Sequence, residues 1–206
     1  MPELANRTIA TPMPFAVPFE PVPFLIGALD TNAAAQAASF TFDISWGDGN
    51  SRSLSSKSPH VLSHGYRRPG LYTVSVTATD EFGHTSAPAT VTIHVVFAFV
   101  GIDPFDRTQT ALFVGGTGGN DTVSFTASGT GGIAVTLNGV SQGTFTTSGP
   151  LIVFTGGRTD TVTEGPGVTN ALFVALKPTD FNLEADLQAE AANTAGFNAA
   201  MEVLSS

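Results

Sequence analysis

Two stretches of strict alternation between apolar and polar residues constrain the fold of this chain most strongly. Residues 40–46 read F-T-F-D-I-S-W, and residues 71–79 read L-Y-T-V-S-V-T-A-T. A period of two residues predicts strands with one buried face, and Trp46 shares the parity of the phenylalanines before it. The G-D-G at 47–49 and the P-G at 69–70 are turn sequences. The pattern predicts a β-sandwich with Trp46 in its core.

Both segments belong to one longer motif, W-G-D-G followed after a loop by H-x-Y-x-x-x-G-x-Y-x-V-x-V-T-x-x-D. In this form residues 21–96 resemble the PKD domain, an immunoglobulin-like β-sandwich that serves as a spacer and binding module in extracellular and cell-surface proteins. The resemblance implies structural roles for the motif residues, which are Trp46, Gly47, Asp48, Gly49, His64, Tyr66, Gly70 and Tyr72. We expect the aromatic residues in the core, His64 bonded to a turn, and the Tyr72 hydroxyl tied back to the backbone.

A different pattern begins beyond residue 106, where an apolar segment and a glycine-rich turn recur. The apolar segment lies at 111–114, 151–154 and 171–174, and D-T-V follows the first two copies at 121–123 and 160–162. A strand, a glycine-rich turn and a second strand, repeated, predict a small repeat-built β-domain. The residues leave two architectures open, a solenoid-like stack and a second sandwich.

These patterns predict an all-β fold with four segments along the chain. Phenylalanines at 15, 19 and 24 are expected to attach the first segment to the sandwich as an edge strand. Leu183, Leu187 and Ala191 fall near helical spacing, so the end of the chain is expected to be helical. The segments are a proline-rich extended lead-in at 1–20, an immunoglobulin-like sandwich at 21–99, the second β-domain at 106–179 and a short helical tail at 180–206.

Charge and hydropathy exclude two classes of partner. The net charge is −9, with five basic and seven acidic residues in 1–100 and three basic and ten acidic residues in 101–206. An acidic surface argues against nucleic acid and anionic membranes as partners. The longest apolar run, residues 95–102, is far shorter than the roughly 20 residues that span a bilayer. We therefore expect neither nucleic-acid binding nor membrane insertion.

Aspartates in glycine-rich turns are the candidate metal ligands. Residues 116–123, G-T-G-G-N-D-T-V, resemble the calcium-binding nonapeptide of RTX β-rolls, G-G-x-G-x-D-x-U-x, with Asp121 at the aspartate position. The copy around Asp160 matches less well, and Asp48 and Asp80 are the corresponding candidates in the PKD-like part. Side-chain capping of the turns explains Asp48 and Asp80 equally well, and glycine–aspartate turns between strands are the alternative for Asp121 and Asp160. Because turns 39 residues apart are not expected to stack, we expect no cofactor, with calcium the one metal to test.

The sequence carries no recognisable catalytic set, since it has no cysteine nucleophile and no phosphate loop. We expect a non-enzymatic spacer or interaction module of a bacterial extracellular or cell-surface protein, acting in adhesion through protein or polysaccharide contacts. Prolines interrupt residues 1–27, which do not resemble a signal peptide, so a longer polypeptide is expected. The alternative is an accessory carbohydrate-binding region of a secreted hydrolase whose catalytic domain lies outside this chain.

Overall fold

The structure, a computed structural model, describes residues 5–10, 15–129, 131–156 and 159–175. These residues form sixteen strands and one short helix, arranged in four sheets. In this described part, no helix has the length and hydropathy of a membrane span. The expected helical tail at 180–206 lies outside the described residues.

The first two sheets form a sandwich from the amino-terminal half of the chain. Its elements are β1 (Ala5–Ala10), β2 (Phe15–Ala16), β3 (Val22–Leu29), α1 (Ala33–Ala37), β4 (Phe40–Ser45), β5 (Ser51–Ser56), β6 (His60–His64), β7 (Gly70–Thr79) and β8 (Ala89–Val95). One sheet has the strand order β1-β3-β6, and the other has the order β2-β8-β7-β4-β5. The expected immunoglobulin-like β-sandwich is confirmed.

Alternation along the strands builds the core of this sandwich. In β4 the side chains of Phe40, Phe42 and Ile44 are buried, whereas the residues between them are exposed. Trp46 follows in the same parity and is 3% exposed, with its ring 5.0 Å from that of Phe24. Burial of each such side chain contributes about 1.5–3 kcal/mol to stability, so the core of the sandwich is the main source of its folding free energy.

The segment expected as a lead-in contributes an edge strand to each sheet of the sandwich. Strand β1 pairs antiparallel with β3, and the two-residue β2 pairs in parallel with β8. Ala16 is fully buried in the core, and Phe15 lies on the opposite, outer face with 42% of its surface exposed. The attachment expected from the phenylalanines is therefore present, and it involves strands in both sheets.

The other two sheets form a second β-unit from the carboxyl-terminal half. Its strands are β9 (Ala98–Ile102), β10 (Thr110–Gly115), β11 (Thr122–Ser128), β12 (Gly132–Leu137), β13 (Val140–Phe145), β14 (Leu151–Phe154), β15 (Thr161–Glu164) and β16 (Leu172–Ala175). The strand orders are β16-β14-β10-β9 and β13-β12-β11-β15. The two sheets enclose a separate apolar core, in which Phe125, Leu112 and Leu151 are fully buried.

Recurring strands in this unit stack on one another in parallel. Leu112, Leu151 and Leu172 are aligned in one row across β10, β14 and β16, and β11 pairs in parallel with β15. This arrangement corresponds to the solenoid-like alternative. The expectation that turns 39 residues apart do not stack was wrong, because β12 and β13 form a hairpin that extends the second sheet and returns the chain to the next turn.

The sandwich ends earlier in the chain than expected, because strand β9 pairs with the second unit. The sandwich was expected to extend to residue 99, but β8 ends at Val95 and β9 pairs with β10, with Phe99 opposite Phe113. Residues 95–102 are a continuous apolar run, so no alternation marks where β8 ends and β9 begins. We propose that the boundary between the units lies at 96–97, so that β9 belongs to the second unit.

Candidate functional site

The W-G-D-G turn is tight, and only glycine fits at its first position after the tryptophan. Gly47 has a φ of 80°, and a β-carbon at this position would lie 2.7 Å from the carbonyl oxygen of Thr73. The Trp46 amide donates to the carbonyl of Asn50 at 3.1 Å, and the Asn50 amide donates to Asp48 Oδ1 at 2.9 Å. Asp48 therefore closes the turn with its own side chain, which is the capping role that the sequence offered as an alternative to calcium binding.

His64 connects this turn to the opposite sheet. Its Nε2 lies 2.8 Å from Asp48 Oδ2, and its ring stacks on Trp46 with a centroid distance of 4.5 Å and an interplanar angle of 2°. Burial is the largest single influence and would raise the pKa of Asp48, but the hydrogen bonds from His64 and Asn50 together lower it. The geometry stabilises the ionised carboxylate, so the pair acts as a structural clamp.

Two tyrosine hydroxyls complete the cluster around the turn. Tyr66 is fully buried and donates to the carbonyl of Trp46 at 3.2 Å, and burial followed by the Asp48 charge raises its pKa. Tyr72 stacks on Tyr66 at 4.3 Å and donates to the carbonyl of Arg68 at 2.9 Å. The motif residues thus hold the turn, the preceding loop and both sheets together.

Asp80 caps a separate turn at the far end of the same sheet. Its Oδ1 accepts the amides of Phe82 and His84 at 2.9 and 2.8 Å, and its Oδ2 lies 2.8 Å from His84 Nδ1. Burial opposes ionisation most strongly, yet the hydrogen bonds from His84 and Phe82 lower the pKa of Asp80 overall. Because β4 and β7 are antiparallel, Asp48 and Asp80 lie at opposite ends of the sheet and cannot share one ion.

Asp121 and Asp160 are brought together by the stacked turns of the second unit. The Asp121 amide donates to Asp160 Oδ1 at 2.8 Å, and the Asp121 side chain is itself buried. Its carboxylate accepts three hydrogen bonds, from the Thr117 amide at 2.8 Å, the Thr117 hydroxyl at 2.6 Å and Asn138 Nδ2 at 2.7 Å. Sequence reasoning missed Thr117 and Asn138, because Asn138 belongs to a hairpin whose return to this turn has no local signal.

The second turn differs from the first in the described groups around its aspartate. Asp160 Oδ2 and the hydroxyl of Thr155 are buried and have no hydrogen-bond partner among the residues that the structure describes. Gly156 occupies the position that corresponds to Thr117, so it offers no hydroxyl to Asp160. Across the described ranges, no three histidine, aspartate or glutamate side chains converge as a metal site would require.

The described histidines do not complete a nucleophilic set. His60 Nδ1 contacts the Ser56 hydroxyl at 3.0 Å, but no carboxylate orients His60 among the residues that the structure describes. His64 and His84 have carboxylate partners, and neither contacts a serine hydroxyl in the same part of the chain. A Ser-His-Asp arrangement needs one histidine that is hydrogen-bonded both to a serine hydroxyl and to a carboxylate. The described residues do not assemble one.

A third apolar cluster joins the two β-units. The fully buried Val17 packs with Phe99, Phe113, Ile152 and Phe154, which lie on the outer face of the sheet that contains β10 and β14. The segment 17–20, which precedes β3, therefore sits between the sandwich and the solenoid-like unit. This cluster gives the two units a shared apolar core.

Phe19 fixes the path of this connecting segment. Its φ is 68°, its amide donates to the carbonyl of Tyr66 at 2.8 Å, and its ring covers two turn glycines of the second unit. A β-carbon on Gly156 would lie 2.7 Å from the Phe19 ring, and one on Gly118 would lie 3.0 Å from it. The two stacked turns therefore require glycine where they contact the sandwich.

Glu20 is a buried carboxyl group in the same segment. It is 7% exposed, and its Oε2 accepts the Val17 amide at 2.9 Å. Burial raises the pKa of Glu20 to about 7, and the hydrogen bond from Val17 only partly offsets this effect. No basic side chain forms an ion pair with it within the described part of the chain.

Hydroxyl side chains cover the outer face of the five-stranded sheet. The paired registers of β4, β5, β7 and β8 place their outward residues side by side. We call these residues the hydroxyl face; they are Thr41, Ser45, Ser51, Ser53, Ser55, Thr73, Ser75, Thr77, Thr79, Thr90 and Thr92. Asp43 lies between Ser53 and Thr77 and is the one charged residue in these rows.

An apolar row lies at one end of the hydroxyl face. His94 pairs with Leu71 on one side and with Phe15 on the other, so the three side chains point to the same outer surface. Leu71 is 70% exposed and Phe15 is 42% exposed. The rings of Phe15 and His94 are 5.2 Å apart. The surface therefore combines many hydroxyl groups with a short apolar strip.

Comparison with known families identifies the first unit. The family model described as the PKD domain matches residues 8–93, a range that starts within β1 and ends within β8. Residues 8–93 therefore match the PKD domain family. PKD domains are non-catalytic modules that are typical of extracellular proteins and mediate protein or carbohydrate contacts. The sequence motif had placed the start of this unit later, because the edge strands before residue 21 carry none of its fixed residues.

Several solved PKD domains are similar to this chain. One belongs to an M14-like peptidase from a Thermoplasmatales archaeon, with 19% identity and a TM-score of 0.38 over 46% of this chain and 96% of that chain. The PKD1 domain of Vibrio anguillarum Epp has 21% identity and a TM-score of 0.34 over 46% and 96%. The PKD domain of the human VPS10 domain-containing receptor SorCS2 has 20% identity and a TM-score of 0.34 over 46% and 72%. Comparison with curated protein sequences gives no match.

Proposed function

We propose that this chain is a non-enzymatic spacer and interaction segment of a bacterial extracellular or cell-surface protein. The PKD domain supplies the general role, since such modules are non-catalytic and mediate contacts. The observation that carries the spacer role is the apolar junction, in which Val17 and Phe19 lie between the two units. A buried apolar interface of this kind restricts the independent domain motion that a simple linker would allow.

The junction also explains why the second unit accompanies the PKD domain. Val17, Pro18 and Phe19 lie against turns and strands of the solenoid-like unit, and Pro18 leaves no space for a side chain at Gly115. The outer face of β10 and β14 would expose Phe113 and Ile152 if the sandwich were removed. The two units therefore present their surfaces at a fixed distance and angle, as a spacer requires.

NMR relaxation of the purified chain tests the rigid arrangement. Amides in β7 of the PKD domain and in β11 of the second unit should report one common rotational correlation time. Phe19→Ala should loosen the junction and give the two units separate correlation times, whereas Phe82→Ala, which removes an exposed phenylalanine, should not. Separate correlation times in the wild-type chain would refute the rigid spacer. Hydrolysis of peptides, esters or polysaccharides that a point substitution abolishes would refute the non-enzymatic role.

One observation favours a second candidate, an accessory carbohydrate-binding region of a secreted hydrolase. The ring of Phe15 is partly exposed at the border of a sheet face that is almost free of charge. The two candidates differ in what lies outside this chain, and sequencing of the complete reading frame distinguishes them. A hydrolase domain in the same polypeptide would support the second candidate.

A further inference from the structure

We propose that the hydroxyl face, together with the apolar row beside it, binds an uncharged polysaccharide. This inference rests on the proposed role of the chain as an interaction segment, and it names the binding surface and the chemistry of the partner. Four observations support it: the charge of the face, the type of its side chains, the position of Asp43 and the exposure of the apolar row.

Charge is almost absent from this face. Asp43 is its single ionisable group apart from His94 at the border, and Arg52 on the adjacent strand has the opposite parity. Typical globular chains contain about 25% charged residues, so this face is poor in charge. A charged partner would be recognised by complementary charges, and the face offers no lysine or arginine to an anion. The missing charges therefore favour a neutral partner.

Strand propensity does not account for the serines. Threonine is favoured in strands, but serine is not among the favoured residues, and β5 alone carries Ser51, Ser53 and Ser55 on this face. All three are exposed, and their hydroxyl groups make no hydrogen bond to another side chain among the described residues. Each hydroxyl donates one hydrogen bond and accepts two, as the hydroxyl groups of a sugar also do. The array is therefore complementary to a ligand that carries many hydroxyl groups.

The spacing of the array suits a chain of sugar rings. Neighbouring strands are about 4.8 Å apart, and residues on one face repeat about every 6.8 Å along a strand, so several hydroxyls meet each ring. Asp43 lies in one row with Ser53 and Thr77. An exposed carboxylate at this position can accept charge-assisted hydrogen bonds from two adjacent sugar hydroxyls, which gives the face one stronger contact.

The apolar row supplies the second component of sugar recognition. A sugar ring has C–H groups on its faces as well as hydroxyls at its rim, and the C–H groups pack on apolar surface. Phe15 and Leu71 provide such a surface next to the Thr73 and Thr92 hydroxyls. Because a hydrogen bond exchanged with water contributes little net free energy, we expect weak binding, with dissociation constants on the order of 0.1–1 mM.

Affinity electrophoresis in native gels tests this proposal on the full chain. The gels contain barley β-glucan, galactomannan or, as the anionic comparison, alginate, and mobility is referred to a gel without polysaccharide. We expect at least one neutral polysaccharide to retard the wild-type protein and alginate to have no effect. Retardation by neither neutral polysaccharide, or equal retardation by alginate, would overturn the proposal.

A pair of double variants locates the binding surface. Ser53→Glu with Thr90→Glu adds two negative charges to the hydroxyl face, and we expect its association constant to fall at least fivefold. Thr122→Glu with Thr163→Glu adds the same charge to exposed strands of the second unit and should bind as the wild type does. Circular dichroism and Trp46 emission verify the fold of each variant. Binding that is unchanged in the first variant would overturn the proposal, whereas separate tumbling of the units would refute only the rigid spacer.

Discussion

Replacement of Glu20 by glutamine should make the protein more stable at alkaline pH. The pKa of Glu20 is about 7 in the folded state and 4.5 in an ordinary environment. Each unit of difference corresponds to about 1.36 kcal/mol, so ionisation of the buried carboxyl destabilises the fold by roughly 3 kcal/mol. Glutamine has the same shape, carries no charge at any pH and keeps an oxygen that can accept the Val17 amide.

The pH range of this effect follows from the direction of the shift. Below pH 4.5 the carboxyl is neutral in both states, and it makes no difference to stability. Between 4.5 and about 7 the unfolded chain loses the proton while the folded protein keeps it, so the free energy of unfolding falls as the pH rises. Above about 7 the full penalty is present and the contribution no longer changes.

Urea denaturation followed by Trp46 fluorescence measures this difference. At pH 8.5 Glu20→Gln should unfold with a free energy about 2–3 kcal/mol above that of the wild type, and at pH 4 the two should be equal. Glu81→Gln makes the same chemical change at an exposed position and should not alter the profile. If the Glu20→Gln and wild-type profiles stay parallel from pH 4 to 9, the assignment of a buried, neutral Glu20 at the junction is refuted.

Three further outcomes test other parts of the structure. Trp46→Ala should lower the free energy of unfolding by about 3–5 kcal/mol in urea denaturation followed by circular dichroism; a loss below about 1 kcal/mol would contradict its place in the core. Gly156→Val should break the contact with the Phe19 ring, and calorimetry should then resolve two unfolding transitions; a single unchanged transition would show that the junction tolerates the side chain. Replacing EDTA by 10 mM calcium should raise the melting temperature by less than about 2 °C, because the protein's own donors already satisfy the Asp121 carboxylate; a larger rise that is lost in Asp121→Ala but not in Asp48→Ala would identify a calcium site.

The sequence alone determined the PKD-type sandwich and the character of its central cluster. Alternation in β4 and β7 fixes which side chains are buried, because successive residues of a strand point to opposite faces. Turn residues are equally local, so the capping roles of Asp48 and Asp80 and the backbone tie of Tyr72 could be read from the motif. Burial and turn formation depend on neighbouring residues, and that information lies within a few positions of the chain.

Only the tertiary structure decided which distant segments meet. The turns at Asp121 and Asp160 stack because a hairpin of variable length can be inserted without changing the register of the parallel strands. Glu20 became a buried carboxyl because its segment lies between two units, and the hydroxyl face arose from the pairing of four strands that each carry only two to four of its residues. Which strands pair with one another depends on the path of the whole chain, and local periodicity does not specify that path.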